Sequence, residues 1–154
     1  MSATFGEQNT TNSHIIEFVR QSGELCAPDE IFWCDGSEAE KKFLTERAVK
    51  QGVLIELNQQ KRPGCYLHRS NPNDVARVEQ CTYICTKNQE DAGPTNNWTA
   101  PREMYAKLHA YLRGSMRSRT LYVVPYLMGP LGSPLAKVGI ELTDSVYVVL
   151  SMRI

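Results

Sequence analysis

A mixed α/β domain, in which a mixed β-sheet is flanked by helices, is the fold class this sequence predicts. Strand and helix patterns alternate through the first half of the chain, and strand patterns cluster toward its end. Between them lies one strongly periodic helix that opens on a proline.

The elements follow in order. Residues 1–11 are polar and aperiodic and read as a loose arm, which leaves 12–154 as a single domain. A short amphipathic helix runs from about Asn12 to Ser22, with Ile15, Phe18 and Val19 on one face. Asp29–Cys34 reads as a buried strand. Ser37 with Glu40 three residues later is a capping-box pattern, and Ala39, Phe43, Leu44, Ala48 and Val49 stripe the helix that follows until Gly52 supplies a left-handed end. Val53–Leu57 and Gly64–His68 are the next strands. Asn71-Pro72-Asn73-Asp74 is a turn, from which Val75–Glu79 starts a single helical turn that presents Arg77.

Thr82–Thr86 is extended, and Asn88–Asn97 is a loop with Gly93 and Pro94, the best hinge in the chain. Thr99 and Pro101 open the clearest helix, in which Met104, Tyr105, Leu108, Tyr111 and Leu112 fall at helical spacing before Gly114. Leu121–Tyr126 is a strand, Met128–Pro134 a connecting loop and Lys137–Leu142 a strand. Ser145–Ile154, rich in β-branched and aromatic residues, reads as a last strand with no turn or polar tail after it, so the domain is expected to be incomplete at its C-terminal end.

With 154 residues the chain suits one core rather than two. Seventeen basic residues balance seventeen acidic ones, which removes the electrostatic footprint of a nucleic-acid binder. No apolar run approaches the length of a membrane span and no leader pattern opens the chain, so a cytoplasmic protein is expected. Cys26, Cys34, Cys65, Cys81 and Cys85 are dispersed and odd in number, as suits reduced thiols.

Several clusters invite a chemical reading. Gly129-Pro130-Leu131-Gly132-Ser133-Pro134 lacks the phosphate-loop pattern, and its prolines lack the N–H groups of a cradle, so a rigid connection between strands is expected. Arg113, Arg117 and Arg119 follow a helix end, where cations complement the dipole. Cys81 and Cys85 would share one face of an extended strand, and with no CxxC pair and scattered histidines they read as buried thiols rather than metal ligands. Thr95–Trp98 offers amide and indole donors that would pin the hinge loop. Taken alone, Arg77 is a surface arginine of the kind that usually solvates.

Three stretches stand in order along the chain: DVARVE at 74–79, GPTNNW at 93–98, and a closing block with Arg119-Thr120, MGPLGSP at 128–134 and ELTDS at 141–145. Together they resemble the amino-terminal region of the GTP-dependent phosphoenolpyruvate carboxykinases, from about Phe32 onward and in a form closer to the bacterial and archaeal members. The resemblance implies the truncated amino-terminal domain of an enzyme that converts oxaloacetate and GTP to phosphoenolpyruvate, GDP and carbon dioxide in gluconeogenesis. It implies a cytoplasmic monomer with oxaloacetate or phosphoenolpyruvate and GTP or GDP as partners, no nucleic acid and no membrane. Manganese or magnesium and GTP would be held by segments downstream, with no catalytic, metal or cofactor residue in this stretch, which alone would be inactive.

Arg77 aligns with the arginine that holds the carboxylate end of the substrate in that family. A small dianion calls for a planar, always-charged fork, which arginine presents bidentately and lysine does not. Cys81 stands where a basic residue is common and Ser118 where glycine is usual. The competing reading is a non-catalytic, anion-sensing or interaction module derived from the same domain.

Overall fold

The structure is a computed structural model and describes residues 6–72 and 78–153. Its centre is a three-stranded sheet of β1 (Glu30–Trp33), β6 (Thr120–Met128) and β7 (Lys137–Thr143), with β6 in the middle. β1 runs parallel to β6, Glu30 opposite Thr120 and Trp33 opposite Val123, while β7 returns antiparallel, with Tyr122 opposite Thr143 and Met128 opposite Lys137. The sheet is therefore mixed, as expected.

The run Leu121 to Val124 is buried on both faces, which is why it reads as continuous apolar sequence rather than as alternation. Tyr122 and Val124, with Phe32 and Cys34 of the β1 segment, face α2 (Glu38–Lys50) and α4 (Val146–Ser151), where they pack on Leu44, Ala48, Val146 and Val149. Val123 and Trp33 face the other way, onto Val19 of α1 (Ser13–Cys26).

Local chemistry sets the helix ends. Asn12 caps α1 by accepting the His14 N–H at 3.0 Å. The helix continues four residues past the expected Ser22, because its end is held by the segment after α3 (Pro101–Leu112). Gly114 and Met116 donate to the carbonyls of Leu25 and Cys26 at 2.8 and 2.9 Å, and Cys26 packs on Met116 and Leu121. Ser37 caps α2 by accepting the Glu40 N–H at 3.1 Å, and Gly52 follows the helix at φ +73°, as the sequence indicates.

Residues 145–151 are a correction. They form α4 and not a strand, with Ser145 accepting the Val148 N–H at 3.3 Å as N-cap. Val146 and Val149, three apart, both reach the core beside Leu44 and Ala48, and that burial outweighs the β preference of the valines. The described residues thus do not end in an open apolar strand. Asn88–Asn97 is also more ordered than a plain loop, containing a 3-10 turn over Gln89–Ala92.

Candidate functional site

Residues 78–99 form a small layered lobe. A 3-10 turn (Glu79–Cys81) leads into β4 (Tyr83–Ile84), which pairs in parallel with β5 (Asn97–Trp98), Tyr83 opposite Asn97 and Ile84 opposite Trp98. Away from it, β2 (Ile55–Glu56) and β3 (Tyr66–Leu67) form a short antiparallel ribbon.

Side-chain amides close the lobe. Asn97 Nδ2 donates to the carbonyls of Glu79 and Thr82 at 2.9 and 3.1 Å, and Asn96 Nδ2 donates to the Ala92 carbonyl at 2.7 Å. The Trp98 indole donates to the carbonyl and hydroxyl oxygens of Thr86 at 3.2 and 3.1 Å. Gly93 turns the chain at φ +81°, where a β-carbon would be strained. The pinning role expected of Thr95–Trp98 is what these bonds provide.

Between the 79–82 turn and the 95–97 segment lies an open cleft of about 680 Å³ lined by Glu79, Gln80, Thr82, Thr95, Asn96 and Asn97. Its described wall is rich in amide and hydroxyl groups, which hydrogen-bond the oxygens of a small polar molecule. Among the described residues that line it, Glu79 is the one ionisable group. That wall cannot attract an anion unaided, and needs a cation beside it. Arg77, the sequence-selected residue two positions before Glu79, lies outside the described residues, as does most of the helical turn expected over Val75–Glu79.

Sequence reasoning singled out the DVARVE and GPTNNW stretches separately and gave no site role to Glu79, Gln80, Thr82 or Asn97. The structure brings the two segments together. The available signal was the amide pair Asn96-Asn97, a type that ties backbone carbonyls of a separate segment.

The remaining clusters are structural. Cys81 closes the 3-10 turn and Cys85 follows β4, and both are exposed, so they neither share a strand face nor lie buried. Cys26 and Cys34 are the buried thiols, and burial together with nearby Glu40 pushes Cys34 up to about 12, leaving it an inert thiol at neutral pH. Arg119 pairs with Asp144 and donates to the Ser115 carbonyl, in keeping with a structural role for that arginine group.

Glu40, 1% exposed, accepts the Asp35 and Gly36 N–H groups at 2.6 and 3.3 Å and Arg153 Nη1 at 2.9 Å. Burial holds its carboxyl above the usual range, against the opposing pull of those donors. The Met128–Pro134 loop turns through Gly129 at φ +103° with Ser133 donating to the Pro130 carbonyl at 3.1 Å, which makes it a hairpin connection. Among the described residues no three His, Cys, Asp or Glu side chains group to hold a metal ion, and no helix is long and apolar enough to cross a membrane.

The sequence profile of the phosphoenolpyruvate carboxykinase N-terminal domain matches residues 17–154. The chain is 60% identical over its whole length to phosphoenolpyruvate carboxykinase (GTP) of Anaeromyxobacter dehalogenans strain 2CP-C, of which it covers 26%. It is 54% identical over 95% of its length to the Neocallimastix frontalis protein of the same name, covering 24% of it. With that of Chlamydia trachomatis it shares 53% over 94% of its length, again 24% of the relative. The chain thus spans about a quarter of the length of the curated relatives it matches.

Proposed function

The chain belongs to the phosphoenolpyruvate carboxykinase N-terminal domain family, and from that membership we propose that it is the amino-terminal part of a GTP-dependent phosphoenolpyruvate carboxykinase. The parent polypeptide, a monomeric cytoplasmic enzyme of gluconeogenesis, decarboxylates oxaloacetate and transfers the γ-phosphoryl group of GTP to yield phosphoenolpyruvate, GDP and carbon dioxide. The observation that carries this reading is 60% identity sustained over every residue of the chain.

Within that enzyme the cleft between the 79–82 turn and the 95–97 segment is one wall of the organic-acid site. Arg77 supplies the guanidinium that receives the substrate carboxylate through two parallel hydrogen bonds. Its positive charge also offsets that of Glu79, so a dianion meets a wall with no net repulsion. The Thr95 hydroxyl, the Gln80 amide and the second side-chain N–H of Asn96 fix orientation, which is where positioning lowers the barrier, while the Thr82 hydroxyl is committed to the Val78 carbonyl at 2.8 Å. In this reading the segment orients substrate, and the residues that hold the divalent cation and GTP belong to the rest of the parent polypeptide.

The test is direct. The purified parent polypeptide should consume oxaloacetate with GTP and a divalent cation, while the 154-residue chain alone should show no turnover. Turnover by the short chain would overturn the fragment reading, and an inert parent polypeptide would favour a non-catalytic, anion-sensing module.

A further inference from the structure

β4 and β5, which join the two segments of the cleft, are two residues long, shorter than the usual span of roughly three to ten, so their backbone pairing alone specifies register weakly. The pairing is parallel and places Tyr83 opposite Asn97 and Ile84 opposite Trp98. Side chains alternate along a strand, so Trp98 shares its face with Ile84 and Thr86, while Asn97 lies on the other face. On the first face the Trp98 indole N–H donates to the carbonyl and hydroxyl oxygens of Thr86 at 3.2 and 3.1 Å. The Thr86 hydroxyl donates in turn to the Asn88 carbonyl at 2.8 Å, which fixes the acceptor. The indole bond is therefore a register mark placed beyond the end of the short ladder.

We propose that Trp98 is a positioning residue for the organic-acid cleft, acting through Asn97: its bond to Thr86 sets the register in which the Asn97 amide meets the 79–82 turn. The proposal rests on the functional reading above, because it gives Trp98 a part in the use of the same substrate. A slip of one residue would carry Asn97 to the opposite face and part its amide from the carbonyls of Glu79 and Thr82, which it reaches at 2.9 and 3.1 Å.

The effect extends to the start of the turn. The Val78 carbonyl accepts from the Cys81 N–H at 3.0 Å and from the Thr82 hydroxyl at 2.8 Å, and Val78 is the residue after Arg77. Register thus governs the gap between the two walls of the cleft and the anchoring of the residue next to Arg77. A tryptophan that served only to fill the lobe would need its ring and not its N–H, so removal of the donor alone separates the two roles.

Kinetics of the parent polypeptide test this. Trp98→Phe keeps an aromatic ring and removes the donor, and should lower kcat/KM for oxaloacetate about five-fold, as befits one neutral hydrogen bond, with GTP binding unchanged. Thr86→Val removes the hydroxyl that accepts from the indole and should lower it in the same direction, while Thr86→Ser, which keeps that hydroxyl, should match wild type. The Thr86 pair carries the test if Trp98→Phe does not fold. The discriminating readout is a cycle with Asn97→Ala. Once the Asn97 amide is gone, register no longer reaches the turn, so Trp98→Phe or Thr86→Val should cost less than about two-fold on that background. Equal losses in both backgrounds, or wild-type kinetics for either variant alone, would overturn the proposal. Hydrogen exchange over residues 79–82 reads the same link without activity, and Trp98→Phe should speed it as Asn97→Ala does. An active polypeptide whose 79–82 exchange ignores Trp98→Phe refutes the positioning role alone, and an inert wild type in which that exchange still responds refutes the function alone.

Discussion

Asn97 holds Glu79 in place through the backbone, its side-chain amide donating to the Glu79 carbonyl at 2.9 Å and also reaching the Thr82 carbonyl at 3.1 Å. One side chain from the second segment of the cleft therefore spans both ends of the turn on the first. Cys81 and Thr82 donate within that same turn, to Val78 and Glu79 at 3.0 and 3.1 Å, so fixing its ends fixes its shape.

Asn97→Ala should consequently weaken organic-acid use without touching the nucleotide. Two neutral hydrogen bonds are worth about 1 kcal/mol each, which sets a fall of up to about thirty-fold in kcat/KM for oxaloacetate in the parent enzyme. Asn97→Asp should be worse than Asn97→Ala, because a carboxylate would face two carbonyl oxygens. Steady-state kinetics beside a GTP titration checks both. Equal kinetics for wild type and Asn97→Asp would remove the cleft from the site.

A second expectation concerns acid. Arg47 Nη2 donates to Glu30 at 2.6 Å and to the Thr120 hydroxyl at 2.8 Å, and that hydroxyl donates to Glu30 at 2.7 Å, tying α2 to both parallel strands. Burial raises the Glu30 carboxyl, but the bonds from Arg47 and Thr120 together outweigh it and hold the group below its usual range. A lowered folded value means the contribution is complete above the ordinary carboxylate pKa, about 4.3, and is lost as pH falls through the folded value. With the Glu30 side chain 46% exposed, screening limits the contribution to about 1 kcal/mol. Urea midpoints of wild type and Glu30→Gln should differ at neutral pH and converge in strong acid. A gap that widened on acidification would contradict the pairing.

Ser145→Ala tests the helix that replaces the expected last strand. It removes the oxygen that accepts the Val148 N–H at 3.3 Å, a change that costs about 1 kcal/mol and lowers Tm by about 2–4 °C in a chain of this size. Ser145→Asp, which keeps an acceptor at the cap, should melt like wild type. Thermal denaturation followed by circular dichroism distinguishes them, and an unchanged Ser145→Ala would argue that no cap is present.

That segment shows where the sequence was legible and where it was not. Ser37, Glu40 and Gly52 announced the bounds of α2 because capping and positive φ are local chemistry, readable within a few residues. The run from Leu121 announced a strand from its composition, while its burial on both faces is something only the structure adds. Val146 to Leu150 carried a β-favouring composition, and only the packing partners Leu44 and Ala48, about a hundred positions earlier in the chain, decide for helix. The cleft was half legible. Both of its segments stood out as motifs, yet their contact is made by Asn97 across fifteen to eighteen residues, a tertiary relation that spacing does not encode.

Arg77 carries the sharpest expectation. In the parent enzyme Arg77→Ala should impair use of oxaloacetate and phosphoenolpyruvate and leave GTP binding nearly intact, because the proposed contact is with a carboxylate and not with the nucleotide. A charge-assisted hydrogen bond is worth about 1.5–3 kcal/mol, which corresponds to a fall of roughly ten- to hundred-fold in kcat/KM. Arg77→Lys should recover only part of it, since an ammonium keeps the charge but not the planar fork. Loss of the cation would also leave Glu79 as an uncompensated negative charge on the cleft wall, so Glu79→Gln added to Arg77→Ala should restore some affinity for the dianion. Kinetics against each organic acid, run beside a direct GTP titration, decides the matter: unchanged organic-acid kinetics, or an equal loss of GTP binding, would take Arg77 out of the substrate site.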